Sequence, residues 1–587
     1  GDDNVAIGWE AGSGGSGAAG NAGNRNTTVG SYAGTVLAKT GGSYDNTFIG
    51  YKSGYASRNV GYNVAIGNYA MSASVSGESN VVIGYQAGDA SVDVDKVVLV
   101  GQGAGGNGVM TSAADGTIAI GYEAGKAITS GQYNTVLGYQ ALYTEDTGDY
   151  NTAIGYQALY TQNRDGTVGN TAVGYKAGYD MTTGYENTLI GTDTGGNLTS
   201  GEENVMMGKS AGSTATTQAS LTLIGFRAGL NINSDHADGT VAIGRSAGEA
   251  ITDGRYNTII GYQAGDSITD GDSSTIVGYQ AGSAITSAGE TGSTLVGKNA
   301  GKSITSGASN TAIGRNALQT QTTGGSNVAI GDQAMQYTPA STAISSVVAI
   351  GPSALGDGSG MSTTGNGSIA IGSAAGNNVK NLAGEFVIIG QSAGQKINGT
   401  GVVHIGFEAG QYASGSQNTF VGSQAGKGGT TSAPYSTGPG NTAVGKNALV
   451  AFTTGEANVA VGQNALSANT TGYYNTAVGD HAGVGITTGV SNVAIGRATL
   501  YVNTTGQQNT AVGYSALNKI TVGTDSTAIG SDAGQYATGS YNTFVGSDAG
   551  KGATTSAPYS SGQYNTALGY QALTAFTTGN YNVALGE

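Results

Sequence analysis

Asn134-Thr135-Val136-Leu137-Gly138 is followed seventeen residues later by Asn151-Thr152-Ala153-Ile154-Gly155. The same phrase closes at Gly174, Gly191, Gly208 and Gly225, and again from Gly445 through Gly462, Gly479, Gly496 and Gly513 to Gly530. The closing glycine recurs about 33 times between Gly8 and Gly586, mostly in steps of 17 and otherwise of 16 to 23. A short phrase repeated in this way makes a solenoid, with length variation confined to loops at its edge. Seventeen residues are too few for a strand, a helix and two connections. They suit one coil of a parallel β-roll with two short strands, a tight turn at the glycine and a return turn at a Thr-x-Gly step.

Each strand position has a physical reading. The first is usually Asn (Asn4, Asn134, Asn310, Asn475), placed to form an amide ladder from coil to coil or to bond the turn backbone. The second is β-branched, as a strand prefers. The third is apolar but variable, from Ala153 to Phe48, Phe420 and Phe544, with one His404. The fourth is Ile, Val, Leu or Met, as in Ile154 and Val478. The fifth is Gly (Gly155, Gly479), for a positive φ or a close backbone approach. Ala follows three residues later, as in Ala158, and then Gly or Leu. Successive strand residues face opposite ways, so positions two and four share one face and position three takes the other. Size variation at position three suggests that position four faces the coil interior and position three faces a seam.

The repeats run through residues 1–587 as one continuous region, least regular over 339–406, with closely matching blocks at 411–462 and 535–586. The chain opens at Gly1 and closes at Glu587 inside repeats, so it reads as a piece of a longer protein. The two matching blocks carry the longest insertions, through Pro434-Tyr435 and Pro558-Tyr559. A stack at strand spacing has no room inside for six extra residues, so these segments are expected to protrude and are the first candidates for partner contacts.

The Asn-x-Ala-Ile-Gly core followed by x-x-Ala resembles the head repeat of trimeric autotransporter adhesins. The longer unit, shown by Asn151 to Tyr160 and Asn565 to Leu573, is similar to repeats of bacteriophage tail-fibre proteins and related bacterial surface proteins. The resemblance covers essentially the whole chain. It implies a left-handed parallel β-roll in an elongated fibre of three parallel chains. It implies an extracellular place on a virion tail or a cell surface. The sequence lacks a heptad stalk, a membrane-anchoring barrel and a terminal chaperone domain.

Composition agrees with a fibre. Gly is 106 of 587 residues, far above the ~7 per cent norm, yet Pro is only 5 and no Gly-X-Y period exists, which excludes collagen. Cys is absent, so neither disulfides nor thiolate metal sites contribute. A net charge of −15 argues against nucleic acid as a partner, and no apolar run is long enough to insert in a membrane as a helix. His236, His404 and His481 are the only histidines, and no nucleophile, base and orienter set presents itself. No catalytic, metal or cofactor-binding residues are therefore expected. Many of the 33 tyrosines recur after the core glycine or before the Asn; they stack at turns or offer an aromatic, amide-rich surface for sugars. The expected function is a phage or phage-like fibre that spans distance and presents loops to a host-surface glycan or protein. A bacterial trimeric adhesin, a non-adhesive filament and an ice-binding solenoid are the alternatives.

Overall fold

The computed structural model describes residues 3–14, 23–37, 42–286, 292–338, 343–357, 367–379, 385–432, 435–553 and 559–587. The chain forms two compact units, Gly1–Gly292 and Ser293–Glu587, and each is a parallel β-solenoid. Among the described residues, 16 ladder strands run from Val5–Ile7 to Thr275–Val277 in the first, and 17 from Thr294–Val296 to Val583–Leu585 in the second. Within each unit the described strands pair in parallel with the next coil's strand, in register with the repeat: Thr135 faces Thr152, Val136 faces Ala153, and Leu137 faces Ile154. Helix among the described residues is limited to the single turns Ser112–Ala114 and Asp235–Ala237.

The coil is simpler than its spacing predicts. Each carries one ladder strand of three residues, lengthened to four at Phe386–Ile389 and Val402–Ile405. Among the described residues the expected second strand is reduced to the pair Gly148–Asp149 with Gly166–Thr167 and to isolated parallel bridges such as Ala413 with Ser436. Coil-to-coil backbone bonds nevertheless continue around the turns, as from Gly125 N to Ala141 O (3.0 Å) and from Thr129 N to Asp146 O (2.7 Å). A turn offers too few extended residues for a ladder, but its N–H groups still find the neighbouring coil, as buried backbone must.

The Asn column does both things its position allows. The Asn475 N–H donates to Asn458 Oδ1 (3.0 Å), and Asn475 Oδ1 accepts from the N–H and Nδ2 of Asn492 (3.0 Å each). Asn475 Nδ2 also donates to Gly489 O in the return turn (2.8 Å). Asn134 repeats the scheme, with Nδ2 on Gly148 O (2.9 Å) and Oδ1 accepting the Asn151 N–H (2.8 Å). Both side chains are fully buried, so each amide joins strand to return turn and coil to coil.

Position three, not position four, faces the coil interior. Ala153, Phe48, Phe420 and Phe544 are wholly buried, whereas Leu137, Ile313, Val478 and Ile529 at position four are 46, 38, 36 and 43 per cent exposed. This reverses the orientation drawn from size variation, and the reason lies six residues on. Where position three is Phe, Leu, Ile, Met or His, the residue six later is Gly: Phe420 with Gly426, Leu189 with Gly195, His404 with Gly410. Where Leu or Met stands six later, position three is Ala or Val: Ala153 with Leu159, Ala460 with Leu466. The two share one interior slot. A Cβ on Gly426 would lie 2.4 Å from the Phe420 ring, and one on Gly550 would lie 2.1 Å from Phe544. Leu159 enters the slot from a backbone at φ 50°, a conformation that costs roughly 1–2 kcal/mol for an L residue. Burying the side chain offsets that cost, at ~1.5–3 kcal/mol.

The column of closing glycines is required twice over. Gly155 sits at φ 137°, and a Cβ there would lie 2.2 Å from Gly174 O in the next coil. Ala158 then packs, fully buried, beneath the turn.

Candidate binding surface

The insertion tyrosines return to the coil. Tyr435 is half-buried and stacks on Tyr412 with centroids 6.3 Å apart. Its neighbour Ser436 bridges Ala413 and donates to Phe452 O (2.7 Å). Tyr559 does the same against Tyr536 (6.1 Å), with Ser560 on Phe576 O (2.8 Å). The same repeat sequence therefore re-enters the stack in the same way in both blocks. Pro434 and Pro558 lie outside the described residues. The repeat-core residues Asn134, Ile154, Gly155, Ala158, Asn475, Val478 and Gly479 occupy the ladder, its outward face and the turn.

The three histidines stand far apart in the sequence. His404 is fully buried at position three, its ring 4.9 Å from that of Phe420, and neither ring nitrogen has a hydrogen-bond partner among the described residues. Burial alone pushes its pKa down to about 3, so the ring is a neutral part of the core. His236 Nδ1 lies 2.9 Å from Asp253 Oδ1, and Ser234 Oγ bonds the same carboxylate. That hydroxyl is on the acid rather than on the free ring nitrogen, so the trio lacks the nucleophile–base contact of a hydrolase. His481 is held between Asp480 (2.7 Å) and Asn464 (3.1 Å). Among the described residues no group of three or more His, Cys, Asp and Glu could hold a metal, and no helix is long and apolar enough to cross a membrane.

The distinctive surface is built from turn residues in the first unit. Tyr122, Tyr139, Tyr156 and Tyr175 follow the closing glycines of four successive coils. Their rings form a column of offset stacks, centroids 5.0, 5.2 and 5.3 Å apart and planes within 13°. Four residues further along each turn, Tyr143, Tyr160 and Tyr179 form a second column at 5.0 and 5.2 Å. Glu123, Gln140, Gln157 and Lys176 stand between them. Gln157 Nε2 donates to Gln140 Oε1 (3.1 Å), and Gln140 Nε2 to Glu123 Oε2 (2.8 Å). Lys176 Nζ is 5.8 Å from the Tyr175 centroid and 4.5 Å from that of Tyr179, which places this middle row between the two walls.

One coil before the stripe, Gly103 and Gly106 take the places of the middle-row and second-wall side chains. Their small size leaves a recess of about 100 Å³, lined by Gln86, Asp89, Gln102, Asn107, Glu123 and Lys126. Burial pushes the Glu123 carboxyl up, but hydrogen bonds from Lys126 and Gln140 outweigh it and hold the group below the usual glutamate value. Burial, then the phenols of Tyr122 and Tyr156, hold the Tyr139 hydroxyl above the usual phenol value, so it is a neutral donor and acceptor. The first tyrosine column was legible in the sequence; the second wall, the middle row and the recess need the coil register. No protein-family model matches the chain, and no curated protein sequence matches it.

Proposed function

We propose that this chain is a stretch of extracellular fibre, from a phage or phage-like tail, which works as a parallel homotrimer and presents its flank to a host surface. The supporting observation is the two-faced strand. Position three fills the coil, while positions two and four point outward and are still aliphatic or β-branched in nearly every coil. Leu137, Ile313, Val444, Ile495, Ile529 and Leu568 are all more than a third exposed. A row of this kind, repeated coil after coil, far exceeds the isolated apolar residues that a monomer leaves on its surface. Identical chains side by side cover it, and the adhesin-head resemblance supplies the number three. A bacterial trimeric adhesin shares the assembly and differs in what carries it.

The outward Thr row at position two favours a second reading, an ice-binding face, since Thr171 pairs in register with Thr188, and Thr258 with Thr275, on a parallel ladder. Val64, Val205, Val459 and Val493 interrupt that row. Mass in solution together with thermal hysteresis separates the two. The fibre reading expects three chains per particle and no hysteresis. A stable monomer that lowers the freezing point of ice without lowering its melting point would overturn it.

A further inference from the structure

We propose that the stripe between the two tyrosine columns, continued into the recess at Gly103 and Gly106, binds a neutral, extended polysaccharide lying parallel to the coil stack. This deepens the fibre reading and rests on it for the presence of a host surface.

At the coils of Tyr139, Tyr156 and Tyr175 the stripe presents three kinds of group: a phenol with its ring edge, a primary amide or charged group, and a second phenol; at the coil of Tyr122, Lys126 takes the place of the second phenol. Amides and phenols donate and accept together, which matches sugar hydroxyls, and the stacked rings add their edges as sides to the track. A polymer is favoured over a single sugar because the groups recur. The tyrosine centroids step by 5.0 to 5.3 Å, close to the ~4.8 Å strand spacing. One extended pyranose unit advances by a similar length. Successive sugars then meet equivalent groups, and weak contacts add through a shared chain. From the coil of Gln102 to the coil of Tyr175 is four such steps, or about 20 Å at strand spacing.

Charge selects a neutral chain. Asp89 and Glu123 are balanced by Lys126 and Lys176, so no field of one sign favours a polyanion or polycation. An extended peptide fits less well. The stripe offers no apolar pocket for alternate side chains, and the coil-to-coil bonds of these turns already use backbone groups that strand addition would need, as from Gln140 N to Tyr122 O (2.8 Å) and from Gln157 N to Tyr139 O (2.9 Å). The recess gives one end of the track a different character. There a missing pair of side chains lets a ring approach the Asp89 and Glu123 carboxylates, which accept from sugar hydroxyls.

The test titrates the full chain with cellopentaose and chitopentaose, both extended, and with maltopentaose, which coils. Calorimetry is expected to detect binding of an extended pentamer that strengthens from dimer to pentamer and exceeds that of maltopentaose. Tyr139→Ser with Gln157→Ala is expected to weaken it by about tenfold or more, as is Gly103→Gln, which refills the recess. Tyr564→Ser, in the separate stack of Tyr541, Tyr564 and Tyr581 in the second unit, is expected to leave it unchanged. Circular dichroism and particle mass of each variant show that the coils and assembly persist. Equal binding of all three pentamers, no binding at all, or protection of Tyr139 by chain assembly alone would overturn the proposal. If sugars fail to bind while the particle remains trimeric and adsorbs to cells, this inference falls and the fibre reading stands. A monomer that still binds the pentamers reverses that outcome.

Discussion

At position three a Phe and an Ala are equally buried, Phe420 and Ala153, and the difference in volume is taken up six residues later by Gly426 or Leu159. Ala153→Phe alone overpacks the slot and is expected to destabilise by about 1–3 kcal/mol. Leu159→Gly alone empties it, at about 2–5 kcal/mol. The pair Ala153→Phe with Leu159→Gly recreates the solution used natively at Phe420 and is expected to recover much of the loss. A double-mutant cycle read by denaturant melts checks this, and additive losses would refute the shared slot. His404 takes the same slot at a cost, because its ring nitrogens lie buried without partners. Its folded pKa of about 3 lies below the ordinary 6.5. The unfolded chain therefore binds the extra proton first, so stability is full above pH 6.5 and falls as pH drops towards 3. His404→Phe removes that slope and is expected to stabilise the coil even at neutral pH; hydrogen exchange of residues 403–421 at pH 7 and pH 4 measures both.

At the scale of the strand, Asn475 joins three backbone segments through one amide. Asn475→Ala leaves the Asn492 N–H and the Gly489 carbonyl without their partner, at about 1–3 kcal/mol for each buried group. In a solenoid each coil contacts its neighbours, so the loss is expected to remain local. Hydrogen exchange should rise around 458–509 and stay unchanged near 134–171, where an intact ladder persists. Asn475→Asp is expected to cost more, since it buries a carboxylate and removes the Nδ2 donor. Position, spacing and residue type made this ladder legible in the sequence, as they did the parallel coil and the glycine turn. The inward face was not legible from position three alone, because its variation looks like a loose seam until Gly426 and Leu159 are read with their partners. The covarying pair was present in the sequence all along. The recess at Gly103 and Gly106 was hidden for another reason: a missing side chain becomes a site only when the rows above and below it are known.

For the whole molecule, the reversal of the two faces moves the assembly argument from position three to position four. Both faces of the strand are apolar; the coil itself covers Ala153 and Ala477, and the proposed neighbouring chains would cover the outward row. Charges on the two faces should therefore fail in different ways. Ala153→Asp places a carboxylate in the coil interior, where no group pairs with it, and is expected to unfold that coil whether or not chains associate. Ile154→Asp with Val478→Asp places charges on the outward row, where a lone coil hydrates them at little cost. In a trimer the same residues bring three like charges together in each layer, out of water. The outward pair is expected to dissociate the particle while leaving the strand signal in circular dichroism intact. Sedimentation at several salt concentrations tests this. Raising ionic strength should restore part of the association only where the introduced charges remain near solvent. A particle whose mass ignores Ile154→Asp and Val478→Asp would show that the outward row is not where the chains meet.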